Sequence, residues 1–98
     1  MIRHTFIATI KEGTPDEIIN RKMKEMRNLK QEVPAINAIS VDKNLGWIGP
    51  SNCITMIIDL DDKEAFDLLM GSPAHLRISE KADEAFDTSN FIVSQIEI

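Results

Sequence analysis

The chain has 98 residues, 43% of them hydrophobic and 28% charged, with a net charge of −5 and a pI near 4.9. That length fits one domain, residues 1–98, with no room for a second core, and the composition is globular rather than disordered. The acidic balance and the lack of a basic stripe argue against nucleic acid as a partner. A single cysteine excludes an internal disulfide, and no stretch approaches the roughly 18 apolar residues of a membrane span, so a cytoplasmic protein is expected.

Residues 2–11 alternate with a period of two. Ile2, His4, Phe6, Ala8 and Ile10 fall on one side and Arg3, Thr5, Ile7 and Thr9 on the other, which is the pattern of a strand. Glu12-Gly13 breaks it. Thr14-Pro15-Asp16-Glu17 then reads as a helix start, with Thr14 as cap, Pro15 at the first helical position and Glu17 completing a capping box. Ile18, Ile19, Met23, Met26, Leu29 and Val33 follow at helical spacing, so the helix is expected to run to about Glu32 and to stop before Pro34. The basic residues between Arg21 and Lys30 alternate with Glu25, Glu32 and apolar positions and read as a solvated helix face.

Residues 36–43 form a second, weaker strand, and residues 44–52, with two glycines and a proline, form a loop. The strongest strand signal is at residues 53–60. Asp61-Asp62 is a cap for a short helix through Ala65, Phe66, Leu68, Leu69 and Met70, which Gly71 ends. Ser72-Pro73 opens a third helix carrying Leu76, Ile78, Ala82, Ala85 and Phe86, and residues 89–98 form the last strand. The sum is β-α-β-β-α-α-β, which favours an α+β fold with a ferredoxin-like antiparallel sheet and its helices on one face.

The third strand is apolar at both parities, Ile54, Met56 and Ile58 against Cys53 and Ile57, so both faces of the sheet need cover. One short chain has helices for one face only. The face carrying Ile7 is expected to meet a second copy, giving a two-fold homodimer with a barrel-like centre.

Candidates for chemistry are few. His4 and His75 are the only side chains whose unperturbed pKa suits acid–base work near neutrality. His4 lies beside Ile2 and Phe6 on the face expected to be covered, and His75 in the first turn of the third helix, where the helix terminus disfavours an imidazolium. If that helix start overlies the first strand, both rings face one cavity, a reasonable small-ligand site. Cys53 reads as a core residue. Asp59, Asp61 and Asp62 cluster, but capping accounts for them better than a metal. Met23, Met26, Met56 and Met70 read as core fillers able to line an adaptable pocket. Trp47 is placed to anchor the dimer or to lie over a pocket mouth. No nucleotide-binding glycine loop, Ser/His/Asp signature or zinc spacing is present, and no cofactor or metal is expected.

Met1-Ile2-Arg3-His4 running into the alternating strand, Val33-Pro34 closing the first helix, and Ser72-Pro73-Ala74-His75 on a helix start together resemble the stress-responsive dimeric α/β-barrel family over essentially the whole length. The resemblance implies a ferredoxin-like protomer, a homodimeric barrel, and a pocket between helices and sheet that holds His4 and His75. The family includes plant proteins linked to stress tolerance, polyketide cyclases and bacterial members with no assigned reaction. In the cyclase branch tyrosines accompany the histidines, whereas this chain has no tyrosine and carries Met26 and Leu69 at the matching positions.

Two functions follow. The first is a stress-response-type dimer binding a small, largely apolar ligand among His4, Phe6, Met26, Leu69 and His75, with no reaction assigned. The second is a cofactor-free enzyme, lyase- or cyclase-like, using His4 and His75 for acid–base chemistry on a carbonyl substrate.

Overall fold

A computed structural model describes residues 1–98. In chain order it comprises β1 (Ile2–Ile10), α1 (Asp16–Glu32), β2 (Ile36–Lys43), β3 (Cys53–Leu60), α2 (Lys63–Met70), α3 (Pro73–Glu80), one 3₁₀ turn (Ala82–Glu84) and β4 (Phe86–Glu97). The strands form one antiparallel sheet in the order β2-β3-β1-β4, the ferredoxin-like arrangement, with the helices on one face. No helix is long and apolar enough to cross a membrane.

The alternation of β1 and β3 fixes what lies beneath the helices. In the β1 register, His4 stands between Ile58 and Gln95, Phe6 between Met56 and Val93, and Ala8 between Ile54 and Phe91. Ile54, Ile58 and Leu60 are fully buried, and α1 lays Ile19, Met23, Met26 and Leu29 over them at three- and four-residue spacing. Each such aliphatic side chain contributes about 1.5–3 kcal/mol by leaving water.

Several local expectations change. Thr14 does not cap α1: its hydroxyl donates to the Lys11 carbonyl (2.8 Å) within the turn, and Pro15 occupies the cap position with no side-chain bond. The third helix stops at Glu80, because the chain must return to the sheet. Ala82–Glu84 tightens to a 3₁₀ turn, the Lys11 N–H donates to the Ala85 carbonyl (2.8 Å), and Phe86 already pairs with Ile10, so the last strand begins three residues before Ser89. Lys22 is not on a solvated face. It is 1% exposed, donating to the Lys81 carbonyl (3.0 Å) and to Glu84 Oε1 (2.8 Å), and so ties α1 to the turn before β4. Asp62 and Ser72 do cap α2 and α3, accepting from the N–H groups of Ala65 (2.9 Å) and His75 (3.2 Å).

The opposite face of the sheet has no helical layer. It presents Ile7, Ile57, Ile92 and Ile96, beside an Arg3–Asp59 pair joined by two hydrogen bonds (2.8 and 3.0 Å). The two sheet edges also differ. On β2, the Arg27 guanidinium donates twice to the Val41 carbonyl (3.2 and 2.7 Å), and the register slips between Ile36 and Ala38. Both features protect an edge. β4 carries no lysine or proline, and of its twelve residues only Phe86 is buried.

Candidate functional site

Between the helices and the β1–β4 half of the sheet lies a cavity of about 460 Å³. Its floor is the row His4, Phe6, Met56, with Phe91, Val93 and Gln95 from β4. Its roof is Met26 and Leu29 from α1, Phe66 and Met70 from α2, and His75 and Ile78 from α3. Eleven of the sixteen lining residues are hydrophobic and none is lysine, arginine, aspartate or glutamate, so the site offers nothing to neutralise a charged ligand.

His4, Phe6, Met26 and His75 are brought together here. Leu69 is not: it is fully buried in the core, and the next residue, Met70, takes the lining position. The alternation of β1 turns His4 under the helices, where its ring meets the edge of Phe66 at 5.3 Å between centroids and 73° between planes. Gln95 Nε2 lies 3.0 Å from His4 Nδ1. With the amide so oriented, Nδ1 accepts the hydrogen bond and the proton resides on Nε2, which has no protein partner. His75 is set by the Ser72-Pro73 start of α3, and its Nδ1 is buried with no hydrogen-bond partner.

Both imidazoles are pushed below the ordinary histidine pKa. For His4 the larger cause is burial and the smaller is the proximity of His75, since two imidazolium charges would repel. For His75 the cause is again burial, opposed in part by the Met70 carbonyl. Two neutral rings with unused nitrogens in an apolar chamber can hydrogen-bond a neutral polar group, or pass a proton to or from one.

Gln95, Phe66 and Met70 were not legible as site residues in the sequence. The alternation of Phe91, Val93 and Gln95 was there to see, but the register that sets Gln95 against His4 was not. Elsewhere the three aspartates have structural partners: Asp59 binds Arg3, Asp61 accepts from Asn37 (2.7 Å) and Asp62 caps α2. A smaller groove between α1 and α3, about 290 Å³ and lined by Glu25, Glu32, Arg77 and Lys81, contains neither histidine.

The model of the stress responsive A/B barrel domain matches residues 2–93. The chain belongs to that family. No curated protein matches it in sequence. Among solved structures, this barrel-family chain is similar to the Arabidopsis thaliana protein At3g17210 at 19% identity, covering 100% of this chain and 95% of that one, with a TM-score of 0.85. A dimeric ferredoxin-like protein of unknown function from Thermobifida fusca is 14% identical over 99% and 90%, with a TM-score of 0.84. A hydroxynitrile lyase from Passiflora edulis is 16% identical over 99% and 92%, with a TM-score of 0.85. At these identities the A/B barrel domain shares a fold with all three, and the likeness extends to nothing further.

Proposed function

We propose that this A/B barrel domain is a stress-response-type homodimer that holds a small, largely apolar and uncharged molecule in the cavity of each protomer, with His4 and His75 as its polar contacts and no cofactor. The observation that carries this reading is the unpartnered, buried Nδ1 of His75 in a chamber with an apolar wall. Leaving such an atom unpaired costs about 1–3 kcal/mol, which a ligand hydrogen bond would offset. The exposed isoleucines of the uncovered sheet face support the dimer, as do the related folds from Thermobifida fusca and Bacteroides fragilis, both described as dimeric. The test is an NMR titration of the two imidazoles with acetophenone, and with benzoate as a charged comparator. The ketone is expected to move both rings together and benzoate to move neither. Rings that ignore the ketone, or titrate as free histidine, remove the site.

A second reading is favoured by the unequal hydrogen bonding of the rings. His4 keeps Nε2–H as a free donor and His75 a free nitrogen, so His75 would remove a proton α to a carbonyl while His4 steadies the enolate oxygen. Acid–base catalysis of this kind contributes roughly 10²–10⁴-fold. His75→Ala should then abolish turnover of a substrate found by screening enolisable ketones, with the fold intact. Unchanged turnover would leave binding alone.

A further inference from the structure

Two exposed apolar features have no counterpart within the protomer. One is the tip of the loop at residues 44–52, where Leu45, Trp47 and Ile48 are 75%, 88% and 91% exposed. This loop is closed on itself. The Asn44 side chain donates to the Pro50 carbonyl and its N–H to the Cys53 carbonyl (3.0 Å). Gly46 sits at φ +75°, where a Cβ would come within 2.9 Å of Ser51 Cβ. The apolar side chains are therefore displayed on a defined turn. The other feature is β4, whose Phe91 and Val93 form the outer wall of the cavity while 38% and 57% exposed.

Strand directions relate the two. β2 and β4 are opposite edges of the sheet. β2 is antiparallel to β3, which is antiparallel to β1, so β2 ends where β1 ends. There the Ile10 N–H donates to the Asn52 carbonyl (2.8 Å) and Ile10 pairs with Phe86, the first residue of β4. The loop and the start of β4 thus share one end of the sheet but lie at opposite edges. If two copies stack their uncovered faces about a two-fold axis along the strands, edges exchange and ends do not, so the loop of one copy arrives at the start of β4 of the other. An axis across the strands would set β4 over β4 and leave both features in water.

We propose that in the homodimer the partner's Trp47 closes the mouth of the cavity beside Thr88 and Phe91, so that each ligand site is completed by the second copy. This rests on the homodimer reading above and adds which segment of the partner reaches the site. A buried tryptophan removes about 150–250 Å² from water, enough to seal such a mouth.

Trp47 is the only tryptophan, so its fluorescence reports on this contact alone. The experiment combines sedimentation of the intact chain with indole emission, acrylamide quenching, and binding of the neutral ketone dye prodan. The expected result is a dimer with blue-shifted, shielded emission that moves to the red on dilution through dissociation. Trp47→Ser is expected to remain folded and dimeric but to bind prodan about tenfold more weakly. Because Trp47 does not line the cavity of its own protomer, that loss would have to act across the interface. A dimer whose indole is water-exposed, or a Trp47→Ser dimer with unchanged prodan binding, overturns the inference and leaves the dimer standing. A monomer in sedimentation removes both.

Discussion

Gln95 places its side-chain nitrogen 3.0 Å from His4 Nδ1 although 91 positions separate the two residues in the chain. The contact decides which nitrogen of His4 carries the proton, and with it what the cavity can donate. Gln95→Glu substitutes an acceptor, so the proton should move to Nδ1 and the His4 pKa should rise by about one unit or more. Imidazole ¹⁵N shifts measured against pH read both effects. If the tautomer is unmoved in Gln95→Glu, Gln95 is not what orients the ring.

Stability should depend on pH through the two histidines. Both have folded-state pKa values below the unfolded value of about 6.5, so the unfolded chain takes up protons first as the pH falls. Their contribution is complete above that value and is lost as the pH falls towards and through the lowered folded values. Urea midpoints measured downward from neutrality should decline in this window, and less steeply in His4→Phe. An equal slope in that variant would place the dependence elsewhere.

Leu69 and Met26 separate the core from the site. Leu69→Ala opens a hole in packed core and should cost about 2–5 kcal/mol while leaving the affinity for a neutral ketone nearly unchanged in the folded fraction. Met26→Ala, also 2% exposed but lining the cavity, should change that affinity as well as the stability. Chemical denaturation and ketone titration of the two variants give the comparison, and matching affinity profiles would dissolve the distinction.

The buried Lys22 makes an asymmetric prediction. Glu84→Gln leaves a cation with little but the Lys81 carbonyl to face and should lower the urea midpoint. Lys22→Met keeps the volume, removes the charge and should stay near the parent. Lys22 and its neighbours also hold the Glu84 carboxyl below the usual carboxylate range, so the pair's contribution is present above that range and lost on acidification through the lowered value. A midpoint for Lys22→Met below that of Glu84→Gln would contradict this account.

What the sequence disclosed was local chemistry. Period-two alternation in β1 and β3, the caps at Asp62 and Ser72, and the stop before Pro34 are decided by neighbours within a few residues, and the strand and helix order follows from them. What it concealed depends on distant chain. The hydroxyl of Thr14 has a turn carbonyl as a competing partner, Lys22 is neutralised by a carboxylate 62 positions away, and the apolar spacing of Ala82, Ala85 and Phe86 suits a helix until Ile10 claims Phe86 as a strand partner. In the site, His4 and His75 stood out by side-chain type. The preference for Met70 over Leu69 depends on how α2 is rotated against the sheet, and Gln95 on the register of β4.

β4 devotes one residue, Phe86, to the core, and turns Phe91, Val93 and Gln95 to the cavity from positions that remain solvent-accessible. Substitution at those three positions alters what a ligand touches without removing packed volume. The recognition surface is thereby free to diverge on a scaffold that stays put, and descendants of one such sequence can acquire new molecular tastes while the folding of the chain is scarcely disturbed.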